Sequence, residues 1–188
     1  MSTVAMEQRK KIHPHKFTLW VGIGSILMMF AGLTSAYIVK RNQANWVTFN
    51  LPLAFWYSTA AIVLSSVTIF LAGRSFKARE MKQYRNLMLT TIMLGVVFII
   101  LQVVGFNELI MQGLGLGKKV SVDFLWIIVL LHAAHVIGGI IALIVRFIKA
   151  SSSTTRNYTS VPVDVISTYW HFVDILWLYL LVFLIMIR

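Results

Sequence analysis

The chain has 188 residues, of which 59% are hydrophobic and only 12% charged, with a mean hydropathy of +0.81. A soluble domain carries about 25% charged residues, so this deficit excludes an ordinary soluble globular protein and places the chain in the membrane class. The formal net charge of +11 does not argue for a nucleic-acid partner, because Lys and Arg gather between apolar runs, and the absence of cysteine excludes disulfides, thiolate nucleophiles and Cys-ligated metals.

Residues 1–16 form a polar, basic segment in which His13 and His15 flank Pro14. No short apolar region with a small-residue cleavage site precedes the first long apolar run, so that run is expected to act as its own insertion signal. Five segments are long enough to cross a hydrocarbon layer of about 30 Å, which takes about 20 helical residues. In chain order they are Phe17–Val39, Leu53–Ala72, Leu87–Leu109, Phe124–Ile148 and Val163–Ile187. Helices are expected because a spanning backbone must satisfy its own hydrogen bonds, and the runs are too long and unalternating for barrel strands. Pro14, Pro52 and Pro162 all fall at or just before a helix start, where a missing N–H does no harm. Gly113 to Lys119 reads as the turn between the third and fourth helices, and Ser151 to Thr155 as the loop before the fifth.

The basic residues set the expected orientation. Twelve lie on the N-terminal side (Arg9 to Lys16, Arg74 to Arg85, and Arg146, Lys149 and Arg156) against five on the other. The fold class is therefore an all-α polytopic membrane protein with five transmembrane helices, N-terminus cytoplasmic and C-terminus periplasmic. Its organisation is a basic cytoplasmic segment over 1–16 and one membrane domain over 17–188. Trp20, Trp46, Trp56 and Trp126 lie near helix ends, as an interfacial aromatic belt requires.

Polar groups inside the spans are few: Gln102 on the third helix, His132 and His135 on the fourth, His171 and Asp174 on the fifth. An ionisable group at such depth costs roughly 2.5 to 3.5 kcal/mol on insertion scales, and so marks a partner on another helix or a functional site. His135 and Asp174 each lie about 11 residues, or roughly 16 Å, beyond their predicted helix starts. On antiparallel helices both reach the midplane, a geometry that permits a His135–Asp174 hydrogen bond or ion pair. His171 shares a face with Asp174 one turn nearer the cytoplasm. His132, His135, His171 and Asp174 thus form the expected interhelical polar cluster, with a proton relay as the functional alternative. Ser25, Ser58, Ser65 and Ser66 read as packing residues that bond their own backbone. Ala134, Gly138 and Ala142, like Gly32 and Ala36, have the small-xxx-small spacing of close helix contacts, internal or between subunits.

These residues carry a resemblance. Trp170-His171-Phe172-Val173-Asp174-Ile175-Leu176-Trp177 resembles the last-helix signature of subunit III of the haem–copper oxidases. His132-Ala133-Ala134-His135-Val136-Ile137-Gly138-Gly139 is similar to that family's fourth-helix motif in the short, five-helix bacterial form. Weaker likeness extends through Thr91, Leu94-Gly95, Phe98 and Gln102, and through Phe30-Ala31-Gly32 and Ser35-Ala36-Tyr37. The resemblance implies a non-catalytic subunit of a respiratory cytochrome c oxidase in the bacterial inner membrane. It would hold no haem, copper or other metal of its own, those belonging to partner subunits. Its implied partners are the catalytic subunit I, subunit II beside it, a larger respiratory supercomplex, and bound phospholipid, expected between helices one–two and three–five. Its implied role is to stabilise the proton-pumping core and support proton uptake. Two family glutamates are absent, since Ile26 and Gly105 stand at their positions. A quinol oxidase subunit is the nearest alternative; a haem-carrying anchor ligated by His135 with His171 or His132, and a small transporter, are the others.

Overall fold

The computed structural model describes residues 14–41, 52–117, 120–151 and 161–187, and every regular element among them is an α-helix. The helices are α1 (Pro14–Lys40), α2 (Leu53–Lys77), α3 (Met81–Met111), α4 (Val120–Ser151) and α5 (Val161–Ile187). All five are long and apolar enough to cross a membrane; the shortest, α2 with 25 residues, measures about 38 Å at 1.5 Å per residue. Most of residues 1–16, together with Trp46, fall outside the described residues.

Several helices outrun their hydrophobic segments. The sequence pattern stops α2 at Ala72 and starts α3 at Leu87, yet both continue to a tight turn at Ala78–Glu80, where Arg79 takes a left-handed φ of 62°. The extension holds because it packs: Tyr84 and Met88 are buried, and Tyr84 lies 5.1 Å from the Phe76 ring. Lys77 at the end of α2 reaches Asp164 at the start of α5 (3.4 Å), tying the two ends across the bundle. At the opposite end, α4 starts at Val120, four residues early, and its first-turn Asp123 accepts a hydrogen bond from the Gly117 N–H (2.6 Å). Gly113 and Gly117 take φ of +79° and +80° in that turn, a conformation glycine adopts at no steric cost. Ser151, expected in a loop, is the last residue of α4.

α5 is the hub. It packs against α1, α2 and α4, while α2 lies along α3, α3 on α4, and α1 on α4 and α5. Among the described residues α1 makes no backbone contact with α2. The expected grouping of helices one and two against three to five is therefore corrected. α2 belongs with α3, and α1 stands apart on the far side of α5.

The close approaches also differ from the small-residue spacing. A Cβ at Gly138 or Gly32 would meet nothing within 4 Å, so these positions do not bring two helices of this chain together. The space is needed instead at Gly95 and Gly139, which receive the Trp170 indole from either side: a Cβ would lie 2.9 Å from its Cη2 at Gly95 and 3.0 Å from its Cζ3 at Gly139. Because lipid tails are as apolar as the helices, packing of this kind is a main source of helix association in the membrane. Overpacking such a contact costs about 1–3 kcal/mol. Gly95→Ala is accordingly expected to lower the thermal midpoint in detergent, whereas Gly138→Ala leaves it unchanged. A differential scanning comparison of the two variants checks this.

Candidate functional site

The polar groups within the bundle form a seam along α2. Ser58 donates to the Phe55 carbonyl and accepts from Gln102 Nε2 on α3 (3.0 Å). One heptad on, Ser65 donates to the Ile62 carbonyl and accepts from the Trp170 indole N–H (2.9 Å). Thr59 accepts from the Trp177 indole N–H (2.9 Å), Ser66 bonds His171 Nδ1 (2.6 Å), and the Thr68 and Thr91 hydroxyls pair at 2.8 Å. Sequence reasoning missed this use of the α2 hydroxyls. Bonding to their own helix and bonding across helices are compatible, since a hydroxyl that donates backward still has lone pairs to accept. The readable signal was their repeat, Ser58/Ser65 and Thr59/Ser66 at seven-residue spacing on one face.

The expected four-residue cluster is divided by the fold. His132 is fully buried in an aromatic box, edge-on to Phe30 and Phe98 and tilted over Trp177 at 5.1 Å between centroids. Neither ring nitrogen has a hydrogen-bond partner among the described residues. His135 is half-buried against Phe30 (5.8 Å) and turns Nδ1 to the Leu131 carbonyl of its own helix (2.6 Å). Its own carbonyl accepts from the Tyr169 hydroxyl. The His135–Asp174 pairing that matched depth permits does not form, because α5 presents Asp174 toward α2 while His135 faces α1. Matched depth was right as a necessary condition, but the rotation of each helix decides the partner. Asp174 is buried (3% exposed), with Ser66 beside it, yet neither carboxyl oxygen meets hydrogen-bond geometry with a described group. His171 and Asp174 therefore stay together around Ser66, and the two α4 histidines lie elsewhere.

The remaining signature residues are structural. Trp170 and Trp177 are buried; Trp177 stacks on Phe55 (6.1 Å, 15°) and meets Phe98 edge-on (5.1 Å). Phe172 is partly buried against the core. Gln102 is buried, and its Oε1 has no partner. At Gly105 a Cβ would stand 3.0 Å from Phe55 Cε2 and 3.4 Å from Ala54 Cβ, so the place of the family glutamate is occupied by α2 side chains. Ile26 packs, half-buried, on the same core. No three His, Asp or Glu among the described residues converge where a metal ion could be held.

Five apolar helices bound by an internal seam of hydroxyls and indoles define a polytopic helical membrane protein. A family model described as cytochrome c oxidase subunit III matches residues 43–187, from just before α2 to the end of α5. A probable cytochrome c oxidase subunit 3 from Nocardia farcinica is 32% identical over 164 residues, covering 84% of this chain and 80% of that one. A cytochrome c oxidase subunit 3 from Bacillus sp. PS3 is 25% identical (86% and 80% covered). A cytochrome bo(3) ubiquinol oxidase subunit 3 from Buchnera aphidicola is 26% identical (86% and 81% covered). The chain belongs to the cytochrome c oxidase subunit III family.

Two experiments test the seam. Gly105→Glu is expected to destabilise the chain, since the new side chain must displace Phe55. A double-mutant cycle of Ser58→Ala with Gln102→Leu is expected to show a coupling of about 0.6 kcal/mol, the average for interhelical hydrogen bonds in membranes. Unfolding of the variants in mixed micelles reads both.

Proposed function

We propose that this chain is the brace of a respiratory terminal oxidase in the bacterial inner membrane. It holds no redox centre itself and stabilises the oxygen-reducing, proton-pumping subunit I, with subunit II in the same complex. Haem and copper belong to those partners. The observation that carries the reading is the family match through α2–α5, joined to a seam in which Ser58, Thr59 and Ser65 bond Gln102, Trp177 and Trp170 across helices. The distribution of basic residues supports a cytoplasmic N-terminus. On the same face Arg74, Lys77, Lys82 and Arg85 are placed to meet phospholipid headgroups. Support for proton uptake is assigned to this stabilising role and not to the family glutamates, whose positions hold Ile26 and Gly105. The Buchnera relative keeps a quinol-oxidising complex as the second reading, since the electron donor would bind other subunits.

The test is a mild-detergent pull-down of the tagged chain with a reduced-minus-oxidised spectrum and mass spectrometry. Haem absorbance is expected only together with a large co-purifying subunit. Haem retained after the chain is stripped of partners would overturn the reading. Asp174→Leu is expected to lower retention of the oxidase core on native gels. Undiminished retention would count against Asp174 having a role in assembly.

A further inference from the structure

Among the described residues α1 and α2 both pack against α5 but not against each other, so between them these helices leave a groove with α5 as its floor. Ile175 (65% exposed), Leu178 and Val182 line the floor, each accessible along one face of the helix. Most of this lining is apolar and would suit acyl chains. His171 is the exception. It lies on the same face, ten residues into α5, so about 15 Å along the axis and near the middle of a hydrocarbon layer of about 30 Å. Its Nδ1 is engaged by Ser66, and its half-buried ring leaves Nε2 without a hydrogen-bond partner among the described residues. Directly beneath, Asp174 holds two carboxyl oxygens that are likewise unpartnered.

Lipid tails offer nothing to such groups, and each unsatisfied polar group at that depth costs free energy. Intramembrane ionisable side chains pair with a neighbouring helix or face a polar cavity. A second open face exists on α4, where Ala134, Gly138 and Ile141 point outward; His135 at its edge is held by its own helix through Leu131 and packs on Phe30, with no buried carboxyl beside it like that of Asp174 beside His171. We propose that the groove between α1 and α2 is the seat of a transmembrane helix of the catalytic oxidase subunit, which brings a hydrogen-bonding side chain to His171 Nε2. The proposal rests on the reading of the chain as an oxidase subunit and adds which face meets the partner and by what chemistry.

The experiment places the photo-crosslinker p-benzoylphenylalanine at Ile175 on the groove floor or at Ile141 on the α4 face, in the full complex in native membranes. Adducts are identified by mass spectrometry. A polypeptide adduct with the large oxidase subunit from position 175, and none from 141, is expected. Phospholipid adducts alone at 175, protein adducts only at 141, or no adduct at 175 in an intact complex would each overturn the groove assignment. In each of those cases co-purifying haem shows that the oxidase reading still stands. A chain that captures neither haem nor an oxidase subunit would overturn the reading and the groove together. In parallel, His171→Leu is expected to weaken retention of the large subunit about three- to tenfold, the worth of one interhelical hydrogen bond. His171→Gln, whose amide can still bond across the groove, is expected to restore part of it. Equal retention of wild type and His171→Leu would also overturn the assignment.

Discussion

The fold depends on two tryptophans of α5 that are buried among the other helices and satisfied there. Trp170 enters between Gly95 of α3 and Gly139 of α4, where only a hydrogen in place of Cβ leaves room. Its N–H is taken by Ser65 of α2. Trp177, two turns on, stacks on Phe55, meets Phe98 and His132, and donates to Thr59. An indole buried in a membrane bundle supplies a large contact surface but must find an acceptor for its one donor. Because the hydrophobic effect cannot drive one apolar helix onto another in lipid, contact area and a satisfied N–H are what hold these helices. Each tryptophan ties α5 to α2 by a hydrogen bond and to α3 or α4 by shape, which is why α5 stands at the centre of the bundle.

That arrangement explains which parts of the sequence were readable. Apolar length and proline positions locate all five helices, since those properties follow from crossing a bilayer. Helix ends were less legible, because Tyr84 and Phe76 extend α2 and α3 through a tertiary contact that no hydropathy window contains. Depth along a helix follows from counting residues, but rotation about the axis does not. His135 and Asp174 reach the same level and still face different neighbours, one toward Phe30 and the other toward Ser66. The small-residue pattern does not mark the contacts within this chain, for a related reason. Gly139, which the motif places beside Gly138, is the residue that meets Trp170, and a rotation of about 100° separates the two.

The α2 serines and threonines show how a residue with an ordinary local explanation acquires a tertiary one. Each hydroxyl that bonds a carbonyl one turn back is already satisfied as a donor, which makes it cheap to bury. Its remaining lone pairs then accept from Gln102, Trp170 or Trp177. The α2 face can therefore serve three neighbours without carrying a charge, and the two departures from the family pattern fit this neutral interior. Phe55 fills the space beside Gly105, and Ile26 continues the apolar packing of α1.

What does not fit a neutral, self-satisfied interior is the pair on the α2-facing edge of α5. His132, enclosed by Phe30, Phe98 and Trp177, can act as a neutral aromatic ring whose contacts are all internal. Asp174 has no such option, since a carboxyl contributes little contact surface and both its oxygens lie unpartnered. His171 differs again, because its ring is only half-buried and borders the groove that α1 and α2 leave open. A bundle stabilised only from within would have no use for polar groups at this edge, where apolar side chains would pack at no desolvation cost. Among the described residues Asp174 is thus a buried carboxyl beside Ser66, and His171 a half-buried ring tied to the same serine, so both polar groups of α5 are positioned by one hydroxyl of α2.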